Sequence, residues 1–196
     1  MALERCTSLR LRNHLHVDAR LRFHCGRHLL WDTRMQSGST LDVPDPACAD
    51  IEIDACHLDP HTQVASTVCV RLARGVARSD VGLPRLVAKM LGGVGNSGFV
   101  VEQEASPHAD GIALLNLTAV EVRVRYRLLG TPFACVLHVP AQAEHGIAPC
   151  PIQVSATAEG VTTPALSLSP WRGSTVAIDA SQDFGEPQLR WTPARS

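Results

Sequence analysis

Apolar and polar residues alternate along much of this chain with a period of two. The clearest run is Val120-Glu121-Val122-Arg123-Val124-Arg125-Tyr126-Arg127-Leu128. On a strand this run puts Val120, Val122, Val124, Tyr126 and Leu128 on one face, with Glu121 and three arginines on the other. One buried and one wet face is the habit of antiparallel sheets. Gly130-Thr131-Pro132 is a turn-like spacer before a second alternating stretch, Phe133 to Val139, so the two are expected to form a hairpin. Ser8 to Leu15 and Ala19 to Cys25 alternate in the same way, with Val17-Asp18 as the turn between them. A Ser-Gly-Ser turn at 37–39 precedes Leu41 and Val43. Residues 51–54 and 63–72 read as strands, and 152–158, 165–168 and 175–178 as short strands split by glycine and proline. Strands at this spacing predict an all-β fold, an antiparallel β-sandwich or jelly-roll-like body.

One segment departs from the alternation. Leu83, Leu86, Val87, Met90 and Leu91 fall on one face of a helix, Pro84 suits a first helical turn, and Gly92-Gly93 suits a helix stop. The pattern therefore predicts one short amphipathic helix near 83–91. The expected organisation is a single β-sandwich domain over 1–182. Within it, two β-rich halves, 1–80 and 96–182, are joined by the helix and a glycine loop. An irregular tail, 183–196, follows. No internal repeat is convincing, although the pattern leaves room for a duplicated sandwich half.

Composition narrows the class. A chain of 196 residues, 45% hydrophobic and 19% charged, is ordinary for a globular protein and argues against global disorder. The net charge of −1 gives no bulk electrostatic case for nucleic acid or for an anionic membrane. Lys89 is the only lysine; with abundant alanine and valine this reads as the codon bias of a GC-rich bacterial genome. No apolar stretch is long enough to span a membrane, and residues 1–17 lack the apolar core of an export signal, so the expected location is cytoplasmic. The seven cysteines contain no C-x-x-C pair, which disfavours a disulfide framework and a zinc ribbon. Cys25 and Cys135, at apolar positions of alternating runs, read as buried, inert thiols.

The glycine-rich stretch after the expected helix has two chemical readings. Gly93 to Gly98 fits G-x-G-x-x-G, but a dinucleotide loop needs a strand before it and a helix after it, and here the expected order is reversed. Gly95-Asn96-Ser97-Gly98 resembles part of the nucleophile loop of trypsin-like serine proteases. Phe99 stands where that family has a second glycine, and too little chain precedes Ser97 for the family's arrangement. Gly92, Gly93, Gly95 and Gly98 are thus expected to form a flexible loop, and no residue is assigned a catalytic role.

Three sites remain. His14 and His16 would share a strand face, with His24 and His28 on a neighbouring strand, an arrangement that could hold a divalent metal. Asp50, Glu52 and Asp54 would line one strand face and Arg123, Arg125 and Arg127 another. If those strands are neighbours the charges stabilise the sheet; if they lie apart, each face can dock a partner or an anionic ligand. The apolar segment from Val87 to Val101 offers a membrane-inserting reading, as in toxin-like β-sandwiches. The sequence as a whole favours a non-enzymatic binding, adaptor or assembly module with a protein partner or self-association and no cofactor. Metal binding through the histidines is the second reading and membrane-surface contact the third.

Overall fold

The alternating runs become strands. The computed structural model describes residues 8–46, 49–73, 84–91, 98–105, 112–147, 152–168, 175–180 and 186–192, and among these there is no α-helix. The first strands are β1 (Ser8–Asn13), β2 (Ala19–Cys25), β3 (His28–Met35) and β4 (Thr40–Pro44). Next come β5 (Ile51–Leu58), β6 (Ala65–Leu72), β7 (Pro84–Leu91) and β8 (Gly98–Ala105). They are followed by β9 (Ile112–Asn116), β10 (Val122–Leu128), β11 (Ala134–Val139) and β12 (Glu144–Ile147). The last are β13 (Gln153–Ala158), β14 (Val161–Thr162), β15 (Leu166–Ser167), β16 (Thr175–Ala180) and β17 (Pro187–Thr192).

These strands divide between two compact units. Unit 1 comprises Met1–Cys48, Gly130–Phe133 and Pro151–Ser196; unit 2 comprises Ala49–Leu129 and Ala134–Cys150. Unit 1 has one sheet in the order β17-β16-β1-β4 and another in the order β14-β13-β2-β3, with β15 also on β13. Unit 2 has the orders β8-β7-β9-β12 and β6-β5-β10-β11. The two sets match strand for strand. Each unit has one parallel pair at the same place, β1 with β16 and β7 with β9, and all its other pairs are antiparallel. The register matches as well. The His14 amide donates to the Ile178 carbonyl at 3.0 Å, and the Leu117 amide donates to the Ala88 carbonyl at 2.8 Å.

The chain runs through the two units differently. Unit 2 is built in order, from β5 to β12. In unit 1 the equivalents of β5–β8 are strands of the segment β13–β17, and those of β9–β12 are β1–β4. The structure therefore contains a repeat that alternation had hidden. Aligned on it, Asn13-His14-Leu15-His16-Val17-Asp18-Ala19-Arg20-Leu21-Arg22-Phe23 stands over Asn116-Leu117-Thr118-Ala119-Val120-Glu121-Val122-Arg123-Val124-Arg125-Tyr126.

The asparagine that opens each frame does the same work in both units. Asn13 is fully buried; its amide Nδ2 donates to the carbonyls of Val17 (3.0 Å), Met35 (3.2 Å) and Gln36 (3.1 Å), and its Oδ1 accepts from the Leu15 amide at 3.0 Å. Asn116, equally buried, donates to the carbonyls of Val120 (2.8 Å), Val139 (2.9 Å) and Pro140 (3.0 Å) and accepts from the Thr118 amide at 2.9 Å. A strand end that turns sharply leaves backbone carbonyls without partners, and a buried carboxamide satisfies them where water cannot reach.

The cores follow the period of two. In unit 1, Leu9, Leu11, Leu21, Phe23, Val154 and Ile178 are fully buried; in unit 2, so are Ile53, Leu86, Leu114, Val122 and Val124. Phe133, between β10 and β11, belongs to the core of unit 1. Its ring centroid lies 5.5 Å from Phe23 and 6.1 Å from Trp31, which stack on each other at 5.0 Å.

Four expectations change. Residues 84–91 form strand β7, not a helix, because Leu86, Val87 and Ala88 are consecutive and all buried in the middle of a sheet. A short apolar run buried on both faces carries no helical or strand period of its own, and Pro84 is tolerated because it opens the strand. Pro187–Thr192, expected in an irregular tail, pair with β16 as β17. β1 ends at Asn13, so His14 lies after the strand, and His16 lies in the turn that follows. Cys25 is disulfide-bonded rather than a free thiol. Cys135 is a half-buried free thiol, and burial pushes it up to about 11.

Candidate functional site

The sheet β6-β5-β10-β11 of unit 2 carries the densest group of charges the sequence singled out. β10 alternates buried Val122, Val124, Tyr126 and Leu128 with outward Arg123, Arg125 and Arg127. β5 is its antiparallel neighbour, and the register sets Arg127 opposite Glu52, Arg125 opposite Asp54 and Arg123 opposite Cys56. The acidic and basic stripes are thus adjacent strands of one sheet, the arrangement in which they serve each other.

The pairing is concentrated at one end. The Arg127 guanidinium donates to Glu52 and, at 2.9 Å, to Asp54. Arg71 on edge strand β6 donates to the other Glu52 oxygen at 2.8 Å. Glu52 is only 4% exposed, and its carboxylate accepts from two guanidinium groups, so a buried acidic side chain has both its oxygens engaged. Asp50 is exposed beside the start of β5, and its carbonyl accepts from the Leu129 amide at 2.8 Å.

The other end of the stripe is open. Arg123 and Arg125 are exposed and take part in no ion pair among the described residues. Their neighbours on β11 are His138, held by Glu121 at 2.7 Å, and Val136, an exposed apolar residue opposite Arg125. Two guanidinium groups at alternate positions of one strand stand about 7 Å apart, a spacing suited to a run of carboxylates.

The histidines do not converge. His14 binds Asp179 at 2.7 Å, His16 is exposed in the turn before β2, His24 is on β2 near its far end, and His28 opens β3. The length of β2, about 20 Å, separates the first two from the last two. Burial, with Arg27 nearby, holds His28 below the usual imidazole value. Among the described residues the one group whose ligand atoms all lie within 4.8 Å is Glu52, Asp54 and Cys69. Both of its carboxylates are already engaged by arginines, and a metal would have to displace them.

The glycine loop gives little. Gly92, Gly93 and Gly95 lie outside the described residues. Gly98 opens β8, and a Cβ there would meet nothing within 4 Å, so packing does not require glycine. Of the described apolar residues of the proposed membrane segment, Val87 and Ala88 are buried in β7 and Phe99 stacks on the buried His57 at 5.2 Å, whereas Met90 and Leu91 at the end of β7 are exposed. No helix among the described residues is long and apolar enough to cross a membrane.

Sequence reasoning named the arginine and acidic stripes but missed Arg71, which completes the cover over Glu52, and missed the asparagine frame. The signal for the second was present as the shared spacing Asn-x-x-x-Val-acid-x-Arg-x-Arg-aromatic. Comparison with protein-family models, with curated proteins and with solved structures found no match.

Proposed function

We propose that this chain is a non-enzymatic binding module of bacterial origin, built from two like β-sandwich units, and that it engages an acidic protein segment through the open end of the β10 arginine stripe. The observation that carries this reading is the exposure of Arg123 and Arg125 beside Val136, with the local carboxylates Glu52 and Asp54 consumed by Arg127 and Arg71. Charge left over on a rigid strand, next to exposed apolar surface, is the composition of a protein contact rather than of a purely solvated face. The sandwich reading is supported in each unit by two sheets with alternating buried residues. The disulfide at Cys25 favours an oxidising compartment over the cytoplasm expected from the sequence.

A polyglutamate peptide is the direct probe. The wild-type chain is expected to bind it with an affinity that falls as salt rises, and Arg123→Glu/Arg125→Glu is expected to lose that binding with its melting temperature unchanged. Calorimetric titration showing no heat for the wild type, or equal binding by the double variant, would remove the arginine face from the function.

A further inference from the structure

Unit 1 is closed by strands from the two ends of the described chain, and this order of assembly points to a partner. Each unit consists of two halves joined along two seams. In unit 2 the seams are β7–β9 and β5–β10; in unit 1 they are β16–β1 and β13–β2. In unit 2 the halves β5–β8 and β9–β12 follow each other directly. In unit 1 the halves are β1–β4 and β13–β17, separated in sequence by all of unit 2. The seam nevertheless forms with the same register and the same amide contact, His14 to Ile178 and Leu117 to Ala88. Joining the halves in succession is therefore not what makes the seam. A β1–β4 half delivered by another copy would offer β13–β17 the same backbone groups and side chains.

We propose that β1–β4 is an exchangeable interaction element whose partner is the β13–β17 half of a second copy of this chain. A released β1–β4 half would present β1 and β2 as open edges and expose Leu9, Leu11, Leu21 and Phe23, all fully buried when the seam is made. Open edges of that kind re-pair, and a second copy carries the complete complement. The connections on either side of unit 2 are short and contain proline: Pro46 lies between β4 and β5, and Pro149 and Pro151 lie between β12 and β13. Short, proline-containing connections lower the advantage of closing within one chain over closing between two. Reciprocal exchange gives a closed dimer, whereas one-way donation leaves a free half at each end and continues as a chain of copies. The inference does not use the arginine face.

The test uses full-length chains refolded under reducing conditions, because Cys25 on β2 is disulfide-bonded. Leu11→Asp disables the first half and Ile178→Asp the second, since each puts a charge at a fully buried place on a seam strand. Refolded separately, each is expected to lack unit 1. Refolded together from urea, they are expected to give a species of twice the 21.1 kDa chain mass in which amides of β1, β2, β13 and β16 regain protection from exchange. A mixture that equals the sum of the two separate samples overturns the proposal.

Should the variants aggregate, wild-type heavy and light isotopic chains refolded together decide it by native mass spectrometry. Mixed dimers that grow with concentration and persist on dilution support exchange, and monomers alone at every concentration overturn it. Repeating this in the Arg123→Glu/Arg125→Glu background separates the two surfaces. Persistence of mixed dimers leaves exchange standing, and their loss assigns association to the arginine face.

Discussion

The two units place an arginine pair at the same position, Arg20 and Arg22 on β2 and Arg123 and Arg125 on β10, and among the described residues only the pair of unit 1 meets a carboxylate. In unit 1, Arg20 and Arg22 on β2 lean toward β3, where Asp32 accepts from Arg20 at 2.8 and 2.6 Å and lies 3.5 Å from Arg22. In unit 2 the ion pairs fall one step further along the strand: Arg127 on β10, at the place of His24 on β2, leans toward β5, where Glu52 and Asp54 accept. The strand equivalent to β5 in unit 1 is β13, and it carries Gln153 and Ser155 at the places of Glu52 and Asp54. The apolar faces and the buried asparagine are common to both units, and the counter-charge is not. The physics of the difference is simple. A buried face accepts few side chains because it must fill a fixed space, whereas an exposed cation can find its carboxylate on either neighbouring strand.

The comparison makes the asparagines the most sensitive positions. Asn13→Asp and Asn116→Asp each set a carboxylate against three backbone carbonyls with no donor left, and each is expected to destabilise by about 4 kcal/mol. Asn→Ala at either place is expected to cost about 3 kcal/mol, because the carbonyls lose their partner without gaining a repulsive one. Urea unfolding measures both. Similar losses at the two sites confirm equivalent roles, and a loss below about 1 kcal/mol at one of them would break the equivalence.

Phe133 tests where the units divide. It follows β10 of unit 2 in sequence but packs with Phe23 and Trp31 in unit 1. Phe133→Ala is expected to cost about 3 kcal/mol. The amides of β2 and β3 should lose protection from hydrogen exchange before those of β5 and β10. Loss confined to β10 and β11 would return Phe133 to unit 2.

Much of this was legible in the sequence, and the failures have particular causes. The alternation at 120–128 and 19–25 marks β10 and β2 because one face is buried and the other wet. Residues 84–91 misled because β7 is central, with Leu86, Val87 and Ala88 all covered, and a strand without a wet face loses its period of two. The pairing of the charged stripes could be posed from sequence only as an alternative, since strand adjacency is not a local property. The repeat could be posed only as a conceivable duplicated half, because the halves of unit 1 flank unit 2 in the chain, and because Asn13 and Asn116 look like loop residues until three carbonyls point at each. The histidines suggested a metal through residue type alone, and the length of β2 keeps them apart.

Glu52 is the next position in order of effect. Glu52→Gln removes the charge shared by Arg71 and Arg127, one of them well exposed, so the expected cost is about 1–2 kcal/mol, below that of breaking a fully buried pair. Its counterpart Gln153→Glu sharpens the comparison. It puts a carboxylate where unit 1 has none, opposite His24, and is expected to change stability little. A large gain there would mean that the arginines of unit 1 are short of counter-charge after all.

The smallest effect is expected at Asp32, and there pH gives the clearer readout. The hydrogen bond from Arg20, with lesser help from Arg22, holds the Asp32 carboxyl below its ordinary value. A carboxyl whose folded value is depressed contributes stability above the ordinary carboxylate range and loses it as pH falls through the folded value. The wild type should therefore lose this contribution below about pH 4. Asp32→Asn lacks it at every pH and should be weaker at neutral pH by about 0.5 kcal/mol, the scale of an exposed ion pair. Thermal melting of the two proteins from neutral pH into acid should show the gap closing as the wild type descends. A gap that stays constant would place the role of Asp32 in shape or hydrogen bonding rather than charge. In that case Asp32 would not be the electrostatic counterpart of Glu52 and Asp54.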